Sequence, residues 1–135
     1  MRHLYRFRVI YGDTDAMGVV YYANYFRYFE AARNELLRDL QVPYRELETE
    51  GFLLPVVEAE AKYHASARYD DELVLETTIQ RVRFSSVEIM YRMIRSEDAS
   101  LIATGRTLHA CVGPSGRVVR LPDKLRQRLV PGAEK

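Results

Sequence analysis

Asp13 and Asp15 stand one residue apart in the stretch YGDTDAMGVVYYANYF, residues 11–26, followed by the lone Gly18 and a run of small and aromatic residues. Two carboxylates so placed admit two readings. As turn or capping residues, Asp13, Thr14 and Asp15 bond nearby backbone N–H groups, which short polar side chains do readily. As chemistry, a carboxylate works beside the start of a helix, where free N–H groups polarise a carbonyl or hold an anion. Gly18 would let a substrate approach the backbone closely. The two readings can divide the aspartates between them. A carboxylate is a weak base in water, so the catalytic role requires it to be positioned and partly desolvated.

The flanking pattern supplies elements to hold such a loop. Leu4 to Tyr11 alternates Tyr5, Phe7, Val9 and Tyr11 against Arg6, Arg8 and Ile10, and reads as a strand ended by Gly12. From Asn24 to Leu40 the period becomes helical. Tyr25, Phe29, Ala32, Leu36 and Leu40 share one face, Phe26, Tyr28 and Leu37 widen it, and Arg27, Glu30, Asn34 and Arg38 form the opposite stripe. So broad an apolar face must be covered. Val57, Ala59, Ala61 and Tyr63 then alternate with Glu58, Glu60, Lys62 and His64, and three β-rich runs follow: ELVLETTIQRVRF, SVEIMYRMIRS and LIATGRTLHACV. The short separators SS and EDAS suit hairpins. After GPSG and RVVRLP, Pro122 opens a short terminal helix, DKLRQRLV. One strand, one long helix and about four antiparallel strands predict an α+β domain over residues 1–135, with the helix packed across the sheet. Tyr, Met and Ile on both faces of SVEIMYRMIR predict an oligomer.

Composition excludes several classes. With 20 Lys+Arg against 19 Asp+Glu the net charge is +1, so no global field points to nucleic acid or an anionic membrane. No stretch approaches the roughly 18 apolar residues of a membrane span. The start, MRHLYRFRVIYGD, interleaves charge with apolar residues and does not read as a signal peptide. A single cysteine, Cys111, rules out an internal disulfide framework and fits a reducing compartment, with cytoplasm the expected location. His3, His64 and His109 are scattered without clustered partners, so no metal site is expected and structural or surface roles are assigned. Cys111 reads as a small core residue.

The run YGDTDAMGVVYYANYF followed by RYFEAAR resembles the signature of the 4-hydroxybenzoyl-CoA thioesterase family, including its YbgC-type acyl-CoA thioesterases. The later ARYDDELVLET is similar to the turn these proteins carry into the next strand. The resemblance implies a hot-dog fold, an antiparallel sheet wrapped round a long central helix. It implies hydrolysis of an acyl-CoA thioester to a carboxylic acid and free coenzyme A, with no cofactor apart from the coenzyme A of the substrate. It implies homodimers, or homotetramers, with active sites at the subunit interface. Residue by residue, it gives Asp15 as the catalytic nucleophile or base and Asp13 as a loop-shaping residue. The Tyr22 backbone N–H is given to the thioester oxygen, and the Tyr here stands where some members have His.

Around these, Gly18, Val19, Tyr21 and Tyr25 are candidate substrate contacts. Arg81 and Arg83 near a hairpin, with Arg117 and Arg120, are candidates for the phosphates of coenzyme A, against the plain reading of a solvated basic edge. Glu30, on the polar stripe, stands for ion pairing, although some hot-dog enzymes use a helix-borne glutamate. Two alternatives accompany the enzyme: a non-catalytic module binding acyl-CoA or an acyl-carrier protein, and a structural assembly protein whose acidic loop only caps the helix.

Overall fold

Alternating apolar residues along the second half of the chain require a sheet with one covered face, and the long amphipathic helix is what covers it. The computed structural model describes residues 2–130. Strand β1 (Arg2–Arg8) leads through a 3-10 turn (Tyr11–Asp13) to helix α1 (Asn24–Asp39) and a short helix α2 (Tyr44–Thr49). Strands β2 (Val56–Tyr63), β3 (Glu72–Val82), β4 (Ser86–Arg95) and β5 (Leu101–Ala110) follow, and α3 (Asp123–Leu129) closes the described chain. The five strands form one antiparallel sheet in the order β1-β3-β4-β5-β2. β3, β4 and β5 are successive hairpin partners, while β1 and β2 take the two edges.

Burial alternates along the central strands, as a sheet covered on one face demands. Leu73, Leu75 and Thr77 of β3 point inward with Val87, Ile89, Tyr91 and Met93 of β4. Against them α1 buries Tyr25, Tyr28, Phe29, Ala32, Leu36 and Leu37. Phe29 is the central contact. Its ring stacks on Tyr91 with centroids 4.4 Å apart and an interplanar angle of 11°. Tyr91 pairs across the ladder with Gly105, and a β-carbon on Gly105 would lie 2.3 Å from the Phe29 ring, so the glycine is what admits the helix this close. Phe26, read as widening the apolar face, is instead 37% exposed and meets Phe29 edge-on.

The outer face is furnished differently. Arg106 pairs with Glu58 and Glu88, and Glu76 with Arg2 and Arg92, so charged side chains bridge neighbouring strands there. Edge strand β2 is exposed along nearly its whole length, with Val56, Val57 and Tyr63 among the exposed apolar residues.

Inside, His109 donates Nδ1–H to the Leu54 carbonyl at 2.9 Å and meets the Thr107 hydroxyl through Nε2 at 2.8 Å, and Thr107 meets the Tyr91 hydroxyl at 2.7 Å. Burial depresses the His109 pKa. Cys111 is buried, and burial pushes its thiol up. No group of three or more potential metal ligands gathers among the described residues. No helix among them is long and apolar enough to cross a membrane.

Candidate active site

The segment between β1 and α1 folds back on itself. Thr14 and Val20 pair as an antiparallel bridge, Asp15 N–H donates to Val19 O at 2.9 Å, and Gly18 N–H returns to Asp15 O at 2.9 Å. Gly18 has φ +80°, a left-handed conformation that suits glycine, and it closes the tight tip. The loop is then tied to the lead-in of β3. Val20 N–H donates to Ala67 O at 2.8 Å and Val19 bridges Arg68.

The two aspartates sit in opposite environments within this loop. The buried Asp13 carboxylate accepts the Tyr28 hydroxyl at 2.8 Å on one oxygen and Arg27 Nη1 at 3.3 Å on the other. Its carbonyl accepts Tyr21 N–H and the Asn24 side-chain amide, each at 2.9 Å. Burial, followed by this bond to Asp13, raises the Tyr28 phenol well above its ordinary value. Asp13 thus joins the loop to the first turn of α1. The Asp15 carboxylate is half-buried at the loop tip. Oδ1 accepts Met17 N–H at 2.9 Å, and Oδ2 has no hydrogen-bond partner among the described residues.

Helix α1 begins without a side-chain cap: the N-cap is Ala23, in helical geometry. The first N–H groups of a helix have no intrahelical acceptor. The N–H of Tyr22, one residue ahead of the N-cap, likewise has no acceptor among the described residues. A carboxylate with a free oxygen and an unclaimed N–H at a helix start therefore belong to the same short loop. That is the chemistry needed to attack a carbonyl carbon while stabilising its oxygen.

Aromatic side chains surround this point. Tyr22 is 61% exposed and Tyr21 46%. The Tyr21 phenol is raised chiefly by the neighbouring Tyr22 side chain, with Asp15 contributing. Tyr63, at the end of β2, donates its hydroxyl to the Tyr22 carbonyl at 3.3 Å and packs edge-on against Tyr25 at 5.1 Å. Tyr25 itself is buried, so it supports Tyr63 from below.

Asp15, Gly18, Val19, Tyr21, Tyr22 and Tyr25 thus come together, whereas Arg81 and Arg83 do not join them. The loop pairs with Ala67 and Arg68, just ahead of β3, and Arg81 is nine residues beyond Glu72, the first residue of that strand, about 30 Å along it at 3.3 Å per residue. Within one chain these arginines line a different pocket with Glu58, Glu88 and Arg106 on the outer face. Glu30 lies exposed on α1, and no ion pair joins it to another described residue. Sequence reasoning missed Tyr63 and Arg68 as neighbours of the loop. Tyr63 carried only the alternation of its strand, and Arg68 sat inside a motif read as a turn.

The sequence matches the thioesterase-like superfamily over residues 9–129. It is 37% identical over 107 residues to the acyl-CoA thioester hydrolase YbgC of Escherichia coli, covering 79% of each chain. It is 31% identical over 123 residues to the 1,4-dihydroxy-2-naphthoyl-CoA hydrolase of Thermosynechococcus vestitus, covering 90% of this chain and 84% of that one. The crystal structure of a 1,4-dihydroxy-2-naphthoyl-CoA thioesterase from Synechocystis superposes with a TM-score of 0.90 at 25% identity, covering 96% of both chains. The fold is the hot-dog fold, and the chain belongs to the thioesterase-like superfamily of thioester hydrolases.

Proposed function

We propose that the protein hydrolyses acyl-CoA thioesters, with Asp15 as nucleophile or general base and the Tyr22 amide polarising the carbonyl. The observation that carries this reading is the pairing of an unclaimed Tyr22 N–H with a carboxylate oxygen free of protein partners in one loop. As water or Asp15 adds to the carbonyl carbon, negative charge gathers on the oxygen. A fixed donor aimed there is worth about 10² to 10³ in rate. The tetrahedral species collapses by expelling the thiolate of coenzyme A. A thiolate leaves readily, so no strong general acid is required, and the chemistry calls for no cofactor beyond the coenzyme A of the substrate.

The assembly we infer is a dimer, which can pair further into a tetramer. β2 offers an open, apolar edge whose unpaired backbone groups can accept another strand. Antiparallel pairing with β2 of a second copy would lay the Val56 end of that copy beside Tyr63. Val56 is level with His109 and Val87, so the hairpin bearing Arg81 and Arg83 would arrive at the same end. That is how these arginines would approach a neighbouring active site. The whole chain is taken as one domain. Its lone, buried cysteine fits a cytoplasmic setting.

The test is free-thiol release from short, long and aromatic acyl-CoAs by the wild-type protein. Turnover of at least one class supports the reading. Binding of acyl-CoA without turnover across the panel points instead to a module that binds acyl-CoA or an acyl-carrier protein.

A further inference from the structure

Residues 67–71, Ala-Arg-Tyr-Asp-Asp, lie directly against the catalytic loop and take no part in the chemistry above. Arg68 bridges Val19, and its guanidinium passes over Gly18, with Nη1 3.8 Å from where a β-carbon would stand. The side chain is exposed, and no carboxylate among the described residues lies within 4.0 Å of it. Beside it, Tyr69 and Tyr11 are 58% and 77% exposed and meet edge-on at 5.8 Å.

The turn that presents these groups is held in place. The Asp71 carboxylate accepts the Arg68 N–H at 2.9 Å and Arg95 Nη1 at 3.1 Å. Arg95 in turn donates to the Ser66 carbonyl and to Asp98. Asp70 takes φ +69°, which L side chains rarely adopt, donates its N–H to Val9 O and accepts Arg8 Nη1 on its carbonyl. An unpaired arginine and two open tyrosine rings are therefore fixed at the rim of the reactive loop, on the same chain as Asp15. A planar guanidinium matches a phosphate, and an aromatic face matches a purine.

We propose that Arg68, with Tyr69 and Tyr11, binds the phosphate and purine portion of the thiol carrier. Arg68 grips a phosphate of the arm and the tyrosines stack the purine. The inference rests on the thioesterase reading. Phosphate is shared by coenzyme A and by the phosphopantetheine of a carrier protein, whereas the purine belongs to coenzyme A alone, so the two contacts separate the two sources.

The experiment compares three thioesters of one acyl group, on coenzyme A, on 4′-phosphopantetheine and on N-acetylcysteamine. Melting temperature serves as the check on folding. Arg68→Ala is expected to raise KM about tenfold for the two phosphorylated carriers and to leave the N-acetylcysteamine ester unchanged, with kcat preserved. Tyr69→Ser is expected to raise KM about tenfold for the coenzyme A ester only. Arg68→Gln replaces Arg68→Ala if the latter does not fold. Titration calorimetry with free coenzyme A reads the same subsite without turnover, and Arg68→Ala should weaken binding about tenfold. Equal losses on all three esters, no loss on any, or unchanged coenzyme A affinity in Arg68→Ala would overturn the proposal. A wild-type protein that binds coenzyme A through Arg68 yet cleaves no thioester would instead overturn the thioesterase reading.

Discussion

The inner arm of the loop and its tip are built from the same residue type and behave as opposites. At the inner arm, Asp13 is buried, with both carboxylate oxygens and its carbonyl engaged by Tyr28, Arg27, Tyr21 and Asn24. At the tip, Asp15 gives one oxygen to the Met17 amide and keeps the other free. A carboxylate saturated by its own protein is a structural joint. One left partly unsatisfied beside an orphan N–H can act on a substrate. Two residues of separation are enough to divide these tasks, because the 3-10 turn Tyr11–Asp13 directs Asp13 under α1 while the Gly18 turn lifts Asp15 away.

That contrast can be broken or sharpened by substitution. The largest effect is expected for Asp15→Asn, which removes the carboxylate proposed as nucleophile or base and should lower kcat by about 10² to 10⁴ with the melting temperature unchanged. Next comes the amide of Tyr22. Tyr22→Pro deletes the N–H while Tyr22→Ala keeps it, so the proline variant should be slower than the alanine variant by about 10² to 10³ in steady-state turnover. At the inner arm the effect passes to stability. Asp13→Ala leaves the buried Tyr28 hydroxyl without an acceptor and should cost about 1 to 3 kcal/mol in denaturant unfolding. Adding Tyr28→Phe to that variant should restore part of the loss, because no buried hydroxyl then remains unpaired.

The smallest effect separates the pH dependence of the fold from that of the chemistry. Buried His109 has a depressed pKa, because desolvation disfavours its charged form. The unfolded chain takes up the proton first, near the ordinary histidine value of 6.5, so stability is full above that pH and falls as pH drops below it. The slope cannot exceed about 1.4 kcal/mol per pH unit for one group. His109→Gln should flatten the fall of melting temperature between pH 7 and pH 5.

Much of this was legible in the sequence because periodicity reports burial. The helical face of Tyr25, Phe29, Ala32 and Leu36 and the alternation in β3 to β5 gave α1 and the central strands within a residue or two. Helix α2 escaped notice, since its six residues bury only Leu47 and are too short to show a period. β1 ends at Arg8, not Tyr11. Val9 N–H turns to Asp71 O, and the chain must then coil to bring Asp13 to Tyr28. The loop aspartates were legible as a motif. Tyr63 and Arg68 were not, because they reach the loop from the end of β2 and the turn ahead of β3, far along the chain, and spacing does not encode such neighbours.

The division of labour between the two aspartates is tested most directly by measuring acyl-CoA turnover and thermal melting on the same preparations of Asp15→Asn and Asp13→Asn. The account predicts an Asp15→Asn protein that melts like wild type and has lost turnover, beside an Asp13→Asn protein that melts earlier and retains turnover at temperatures where it is folded. A folded Asp15→Asn protein with wild-type turnover, or a fully stable Asp13→Asn protein without any, would contradict it.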